Sequence, residues 1–174
     1  AWEGSVWQQK GIKVRNSNFL SIAPTGSISF LANTSGGIEP NFALVYTRRT
    51  NENDLYYGVN PIFEKVLKDR GLYSVELLEK IASEEHNGSC QKIKELPEDI
   101  RKIFVTTYDI SPKEHVDMVS IIQKHVDLAI SKTVNLPEHA TVEDIMEVYQ
   151  YAWEKDLKGV TVYRDKCREN QVLN

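Results

Sequence analysis

Residues 18–32 read NFLSIAPTGSISFLA, and this stretch decides how the chain is expected to fold. Its first six residues, Asn18–Ala23, form a mostly apolar run that predicts a strand. Pro24 ends that strand because proline has no N–H to donate to a neighbouring strand. Thr25-Gly26-Ser27 then forms a turn, and residues 28–32 begin a short helix. The predicted order is therefore strand, turn, helix.

The turn between this strand and helix has the chemistry of a phosphate site. The first N–H groups of a helix lack intrahelical acceptors, the hydroxyls of Thr25 and Ser27 add donors, and Gly26 lets the backbone approach a ligand closely. The turn lacks the lysine of a Walker P-loop and does not match GxGxxG, so it predicts neither an ATPase nor a dinucleotide fold. The alternative is an ordinary helix cap, in which Thr25 or Ser27 satisfies the first turn and no ligand binds.

The rest of the chain alternates helices with short strands. Strands separated by helices favour a parallel sheet with right-handed crossovers, but three strands are few for 174 residues, so another segment is expected to complete the sheet. The apolar residues of 41–59 recur with neither the helical nor the strand period, so this stretch is predicted to be an irregular loop or extended arm. The polar residues 84–89 predict a surface connection. Helices are predicted to begin at Asn60, Ser74, Pro97, Ser111 and Thr141, and further strands at residues 128–134 and 160–163.

Composition narrows the class of protein. Residues 1–174 fit one α/β unit, and 41% hydrophobic with 26% charged residues is typical of a globular domain. A net charge of -4 argues against direct nucleic acid binding, and the apolar runs are too short to cross a membrane. Two cysteines without a CxxC motif favour a cytoplasmic protein without a structural disulfide.

Histidine, arginine and cysteine side chains elsewhere in the chain are the other candidates for a functional role. The four histidines show no ligand-like spacing, so no metal site is expected. Arg48 and Arg49 beside Tyr46 either contact a nucleotide or neighbouring chain or are simply solvated. Cys167, in a charged turn, is either an exposed thiolate or an ordinary free cysteine.

Several segments resemble the large subunit of ribonucleotide reductase. Three of them lie near the predicted turn: RNS at 15–17, SIAPTGSIS at 21–29 and SGGIEP at 35–40. Three later segments resemble the adenosylcobalamin-dependent class II branch of that family: YDISP at 108–112, SKTVNLP at 131–137 and KGVTVYRD at 158–165.

The resemblance implies the C-terminal portion of a ten-stranded α/β barrel, incomplete on its own. The family reduces ribonucleotides to deoxyribonucleotides by radical chemistry, and its segment matching residues 24–29 holds the substrate phosphates. That expectation covers Pro24, Thr25, Gly26, Ser27, Ile28 and Ser29. Tyr163, at the end of the last predicted strand, either lines the mouth of the active site or simply packs.

The resemblance also implies what this chain lacks. The family's Asn-x-Cys-x-Glu motif, which carries the thiyl radical, does not occur in the sequence, and neither Cys90 nor Cys167 matches the redox cysteine pair. We therefore expect the chain alone to be inactive, with the N-terminal part of a reductase chain as its partner. Adenosylcobalamin is the implied cofactor, although binding by this chain alone is not expected. The alternative is a non-catalytic barrel fragment that associates through its sheet edge.

Overall fold

The computed structural model describes residues 2–32, 34–49 and 55–167, and its helices alternate with short strands. In chain order the elements are α1 (Val6–Gln9), α2 (Gly26–Ala32), β1 (Val45–Arg49), β2 (Leu55–Val59), α3 (Pro61–Asp69), α4 (Val75–Ala82), α5 (Glu98–Ile103), a 3-10 turn (Thr107–Asp109), α6 (Pro112–Gln123), β3 (Thr133–Leu136), α7 (Val142–Glu154) and β4 (Thr161–Arg164). None of the described helices is long and apolar enough to cross a membrane.

The predicted helix starts are confirmed, because the capping side chains make the expected hydrogen bonds. Asn60 accepts from the N–H groups of α3, and Ser74 accepts from the first turn of α4. Ser111 and Thr141 each complete a capping box at the start of α6 and α7. Helix α5 begins directly after Pro97, so the proline stands at the cap position rather than inside the helix.

The three predicted strands lie side by side and run in one direction. β3 and β4 are connected by α7 and pair in parallel, with Thr133 opposite Thr161. On the other side, Ile22 forms a parallel bridge with Ile130, so residues 130–136 are the central segment. Two details differ from the prediction. The first strand is reduced to this bridge, and β3 spans residues 133–136 instead of 128–134. Before it the backbone is irregular, since the N–H groups of residues 127 and 128 both donate to the Leu20 carbonyl.

β4 is less buried than a β-branched run suggests. Thr161 and Arg164 are exposed, while Val162 and Tyr163 are half-buried. Among the described residues β4 has a strand partner on one side, β3, so its other edge is not covered by a further strand. Parallel strands are normally covered on both faces, which explains why the sequence suggested a buried strand.

Of the two alternatives predicted for residues 41–59, the irregular loop is wrong and the extended arm agrees with the structure, because β1 and β2 form an antiparallel hairpin in which Val45 pairs with Val59. Adjacent arginines and several asparagines obscure the alternation of apolar and polar residues in these strands. A hairpin is also stabilised by pairs of residues on opposite strands, and such pairs cannot be read from one stretch of sequence. Gly58 lies opposite Tyr46, and a side chain at Gly58 would collide with the tyrosine ring.

The polar stretch at residues 84–89 is packed rather than a free surface connection. His86 and Gly88 are buried, and the Gly88 carbonyl accepts the N–H of Leu44 at 2.8 Å. Gly88 has a φ of 74°, and a Cβ there would collide with Ala43 and lie 2.9 Å from the carbonyl oxygen of Val45. A glycine is therefore required where this stretch crosses the hairpin.

Two hydrophobic clusters form the core. The first combines the hairpin with α3, α4 and α5, whose Ile100 is buried. The second lies between α6, α7 and the parallel strands, around Val116, Val134 and Val148. Hydrogen bonds from Ser89 to the Asp109 carboxylate, at 2.9 and 2.8 Å, join the end of the polar stretch to the 3-10 turn. That residues 1–174 form one domain stays a prediction.

Candidate functional site

The predicted phosphate turn lies between Ile22 and α2, and the first N–H groups of that helix have no partner among the described residues. The first α-helical hydrogen bond runs from the Ser29 N–H to the Thr25 carbonyl, at 3.0 Å. The N–H groups of Gly26, Ser27 and Ile28 have no acceptor in the part of the chain that the structure describes. Three backbone donors are thus available to an anion at the point where the strand ends.

Thr25 does not act as the helix cap. Its side-chain oxygen is buried and has no hydrogen-bond partner among the described residues. Its φ of 52° is in the left-handed region, which is unusual for a β-branched residue and is a form of strain found at ligand sites. Of the other hydroxyls in the turn, Ser29 donates to the Gly26 carbonyl at 2.7 Å and Ser27 is exposed. The ordinary helix-cap interpretation therefore loses its main candidate.

Gly26 faces open space beside these donors. No atom of the described residues lies within 4 Å of the position that its Cβ would occupy, and its φ is not left-handed. Neither packing nor backbone conformation therefore requires glycine at this position. A side chain would enter the space in front of the free N–H groups, which is where a phosphate would bind.

The SGG sequence that follows α2 packs against the turn. A Cβ at Gly36 would lie 3.4 Å from the Ser29 hydroxyl and 3.5 Å from the Thr25 hydroxyl. Gly37 has a φ of 51°, and its Cβ position is 3.3 Å from the Ala23 carbonyl. The two glycines therefore allow this loop to lie directly against the turn, a role that residue spacing alone did not indicate.

A buried polar network lies beyond this loop, and sequence reasoning did not identify it. Lys132 is 4% exposed, and its Nζ donates to Glu39 Oε2 at 2.7 Å and to the Thr133 carbonyl at 2.9 Å. It also lies 2.8 Å from His115 Nδ1. Glu39 Oε1 accepts the Thr133 N–H at 2.7 Å. The only signal in the sequence was that Glu39 and Lys132 fall inside two of the family-like segments.

His115 is neutral in this network. Burial lowers its pKa, and the charge of Lys132 lowers it further. Its Nε2 lies 3.0 Å from the Thr107 carbonyl and donates to it, which leaves Nδ1 as the acceptor for Lys132. The negative charges of Glu39 and Glu114 act in the opposite direction and raise the pKa of His115, but they do not outweigh burial and Lys132. Both ring nitrogens are therefore occupied.

The stability of the chain is expected to fall as the pH drops below about 6.5, the usual histidine pKa. Because the pKa of His115 is lowered in the folded state, the unfolded chain takes up a proton first, and the loss continues down to the folded pKa. Urea unfolding between pH 7 and 5 measures this. His115→Gln keeps a donor and an acceptor and is expected to flatten the dependence, whereas exposed His125→Gln should not; equal slopes in both variants would contradict the assignment.

Tyr163 lies on β4, on the other side of the central segment from the phosphate turn. It pairs with Asn135, whose amide donates to the Thr107 hydroxyl at 2.9 Å. The Tyr108 hydroxyl is buried without a hydrogen-bond partner among the described residues, and burial, followed by Asp165 and Tyr163, raises its pKa to about 12. Tyr163 lies near the carboxyl end of β4, and the turn follows the segment that bridges at Ile22, so both are at the edge where α/β folds bind ligands. A place for Tyr163 at the active-site mouth stays a prediction.

The remaining candidates are separated from the turn. Cys90 is buried in the first cluster with its thiol 3.3 Å from the Phe104 carbonyl, and burial, assisted by Asp109, raises its pKa to about 11. Cys167 is exposed. The side chains of Arg48 and Arg49 lie outside the described residues. No cluster of three or more potential metal-ligating side chains occurs within residues 2–32, 34–49 and 55–167.

Iodoacetamide is expected to modify Cys167 and to spare Cys90 in the folded chain. The thiolate is the reactive form, and Cys90 is both buried and protonated at neutral pH. Peptide mass spectrometry measures the two sites separately, and unfolding in urea should make both reactive. Equal modification of the two cysteines before unfolding would contradict the buried position of Cys90.

Comparisons with known proteins agree on one family. Residues 2–163 match the family model described as "Ribonucleotide reductase, barrel domain". A vitamin B12-dependent ribonucleoside-diphosphate reductase of Thermoplasma acidophilum is 43% identical over 173 residues, which are 99% of this chain and 22% of that protein. The reductase of the same name from Mycobacterium tuberculosis is 44% identical over 160 residues, 92% of this chain and 22% of that protein.

A solved structure supports the same grouping. The class Id ribonucleotide reductase alpha subunit of Actinobacillus ureae matches with a TM-score of 0.74 and 28% identity over 92% of this chain and 28% of that subunit. The chain thus spans 22% to 28% of the length of these proteins.

Proposed function

Because this chain belongs to the ribonucleotide reductase barrel-domain family, we propose that it binds the phosphates of a ribonucleotide substrate at residues 24–29, as part of an enzyme that makes deoxyribonucleotides. The observation that carries the proposal is the set of unpaired N–H groups at Gly26, Ser27 and Ile28 beside the open space at Gly26. Phosphate oxygens are strong acceptors, and backbone donors at a helix start favour negative charge.

The remaining side chains of the turn have supporting roles in this proposal. The Thr25 hydroxyl, which lacks a partner among the described residues, is a further donor to a phosphate oxygen. Ser27 is exposed beside the donors, and Pro24 ends the strand without an N–H of its own. Ile28 and Ser29 contribute through backbone, since the Ser29 hydroxyl already donates within the turn.

The proposed substrates are ribonucleoside diphosphates. The support is the name of the relatives from Thermoplasma acidophilum and Mycobacterium tuberculosis, which are ribonucleoside-diphosphate reductases at 43% and 44% identity. The turn itself binds phosphate without distinguishing two phosphates from three, so this part of the proposal depends on the relatives.

The proposed partner is the remaining N-terminal part of a reductase chain, which completes a ten-stranded barrel. Residues 20–22, the central segment and β4 run parallel, and a parallel sheet normally continues until both its faces and its edges are covered. The partner must also supply the radical cysteine, because this sequence contains no Asn-x-Cys-x-Glu motif. A cytoplasmic location stays a prediction from the sequence.

Adenosylcobalamin is the proposed cofactor of the assembled enzyme, supported by relatives named vitamin B12-dependent reductases. When bound, it supplies the radical that starts reduction. The buried His115 is not free to ligate it, because both of its ring nitrogens are engaged, by the Thr107 carbonyl and by Lys132. We propose that this chain contacts the substrate and that the remaining part of the reductase contacts the cofactor.

Reconstitution tests the proposal. This chain is mixed with the remaining part of a reductase, adenosylcobalamin, a dithiol reductant and a ribonucleoside diphosphate, and deoxyribonucleotide is measured by chromatography. Product is expected from the complete mixture and not when either protein part is omitted. A folded mixture that repeatedly gives no product would contradict the proposal, and a stable oligomer of this chain alone would then favour an interaction module.

A further inference from the structure

The phosphate turn is held at its base by residues 130–133 of the central segment. On the entry side, Ile22 bridges to Ile130 and its carbonyl accepts the Ser131 N–H at 2.9 Å. These two contacts are made by backbone atoms, and just before them the Asp127 carboxylate accepts the N–H groups of Phe19 and Leu20, at 2.8 and 3.1 Å. Together they fix where the chain enters the turn, and none of them involves Glu39 or Lys132.

On the exit side the side chain of Glu39 holds the chain to the central segment. Its two carboxylate oxygens accept from the Thr133 N–H and from Lys132 Nζ, both at 2.7 Å. The Glu39 N–H donates to the Gly36 carbonyl at 3.2 Å, so the carboxylate is tied directly to the glycine loop. That loop in turn lies against Thr25 and Ser29.

Lys132 cannot itself bind a substrate phosphate from this position. Its side chain is 2% exposed, and its three N–H donors are matched by Glu39, His115 and the Thr133 carbonyl. A buried ammonium with all donors engaged fixes the geometry of its partners. Its charge is neutralised by Glu39 rather than directed at a ligand.

We propose that Glu39 and Lys132 are positioning residues, which hold the glycine loop and through it the substrate-phosphate turn against the central segment. The inference rests on the proposed function, since it assumes that the turn binds phosphate. Weakening the ion pair leaves the entry side intact and frees the exit side, so the glycine loop no longer holds the turn in a fixed position against the central segment.

The test uses the assembled reductase, meaning this chain together with the remaining part of a reductase chain. Glu39→Gln and Lys132→Met are each expected to raise the KM for the ribonucleotide about 5- to 20-fold and to change kcat less than about twofold. A purely structural role would instead reduce the amount of active enzyme, which lowers the apparent kcat and leaves KM unchanged. Glu95→Gln, which removes the partner of Lys80 at an exposed ion pair, is the matched control and should change neither.

Two further variants make every outcome decisive. The double variant Glu39→Gln/Lys132→Met removes both charges, so it folds even if a single variant leaves an unpaired charge too costly to bury, and it should show the same rise in KM. Gly26→Val tests the phosphate turn itself. If Gly26→Val raises KM but the Glu39 and Lys132 variants do not, the positioning role is wrong and the proposed function stands; if Gly26→Val has no effect, the proposed function is wrong.

Discussion

Replacing Gly26 by valine is expected to lower kcat/KM of the assembled reductase for its ribonucleotide about 100-fold, mainly through KM. Hydrogen bonds from neutral donors to a charged group contribute about 1.5–3 kcal/mol each, so the loss of one or two of them accounts for a factor of this size. A Cβ at Gly26 meets no atom of the described residues, so the chain itself tolerates the substitution. The effect should therefore appear in substrate binding and not in folding.

Gly159 is the matched control for that experiment. It also has no atom of the described residues within 4 Å of its Cβ position and no left-handed φ, but it lies at the amino end of β4, away from the strand ends that carry the turn. Steady-state kinetics of Gly26→Val and Gly159→Val, with thermal melts of both, separates binding from stability. Equal KM values in the two variants would show that the space in front of Gly26 is not a phosphate site.

Replacing Glu39 by methionine is expected to lower the free energy of unfolding of this chain by about 3–5 kcal/mol, because it leaves the buried Lys132 ammonium without a counter-ion. Lys132→Met should be less destabilising. The Glu39 side chain is 33% exposed and can be hydrated when its partner is removed, whereas the Lys132 side chain is 2% exposed and cannot. We therefore expect Glu39→Met to lower the free energy of unfolding more than Lys132→Met does.

Urea unfolding followed by circular dichroism measures the Glu39 and Lys132 variants. The double variant Glu39→Met/Lys132→Met is expected to regain most of the stability lost in Glu39→Met, since no charge is left buried without a partner. Glu95→Met removes an exposed ion pair with Lys80 and should change stability by less than about 1 kcal/mol. Additive losses in the double variant would mean that the two side chains do not interact as the structure indicates.

Local signals predicted much of the fold. Ser111 with Glu114 and Thr141 with Asp144 place helix starts correctly because a cap is decided by residues three positions apart. Pro24 follows the extended segment that bridges at Ile22, and its missing N–H is an equally local reason why that segment does not continue. The order of extended segment, turn and helix around the candidate site was therefore visible in the sequence, and so was the parallel direction of the strands, whereas the reduction of the first strand to one bridge was not.

The features that the sequence did not predict depend on distant partners. The hairpin at residues 45–59 is stabilised by cross-strand pairs, and the buried position of Gly88 depends on Ala43 of the adjoining segment. Lys132 appears as one charged residue in a strand-forming run, and only the fold brings it to Glu39, 93 residues away along the chain. No periodicity in one sequence contains that information.

The most direct test of the central claim is the affinity of the assembled reductase for a ribonucleoside diphosphate and for the corresponding nucleoside, measured by calorimetry with and without Gly26→Val. Phosphate binding at residues 24–29 predicts that the diphosphate binds more tightly than the nucleoside to the unmodified enzyme, and that most of this difference disappears in Gly26→Val while nucleoside affinity is unchanged. An undiminished preference for the diphosphate in Gly26→Val would contradict the account and place the phosphate site elsewhere.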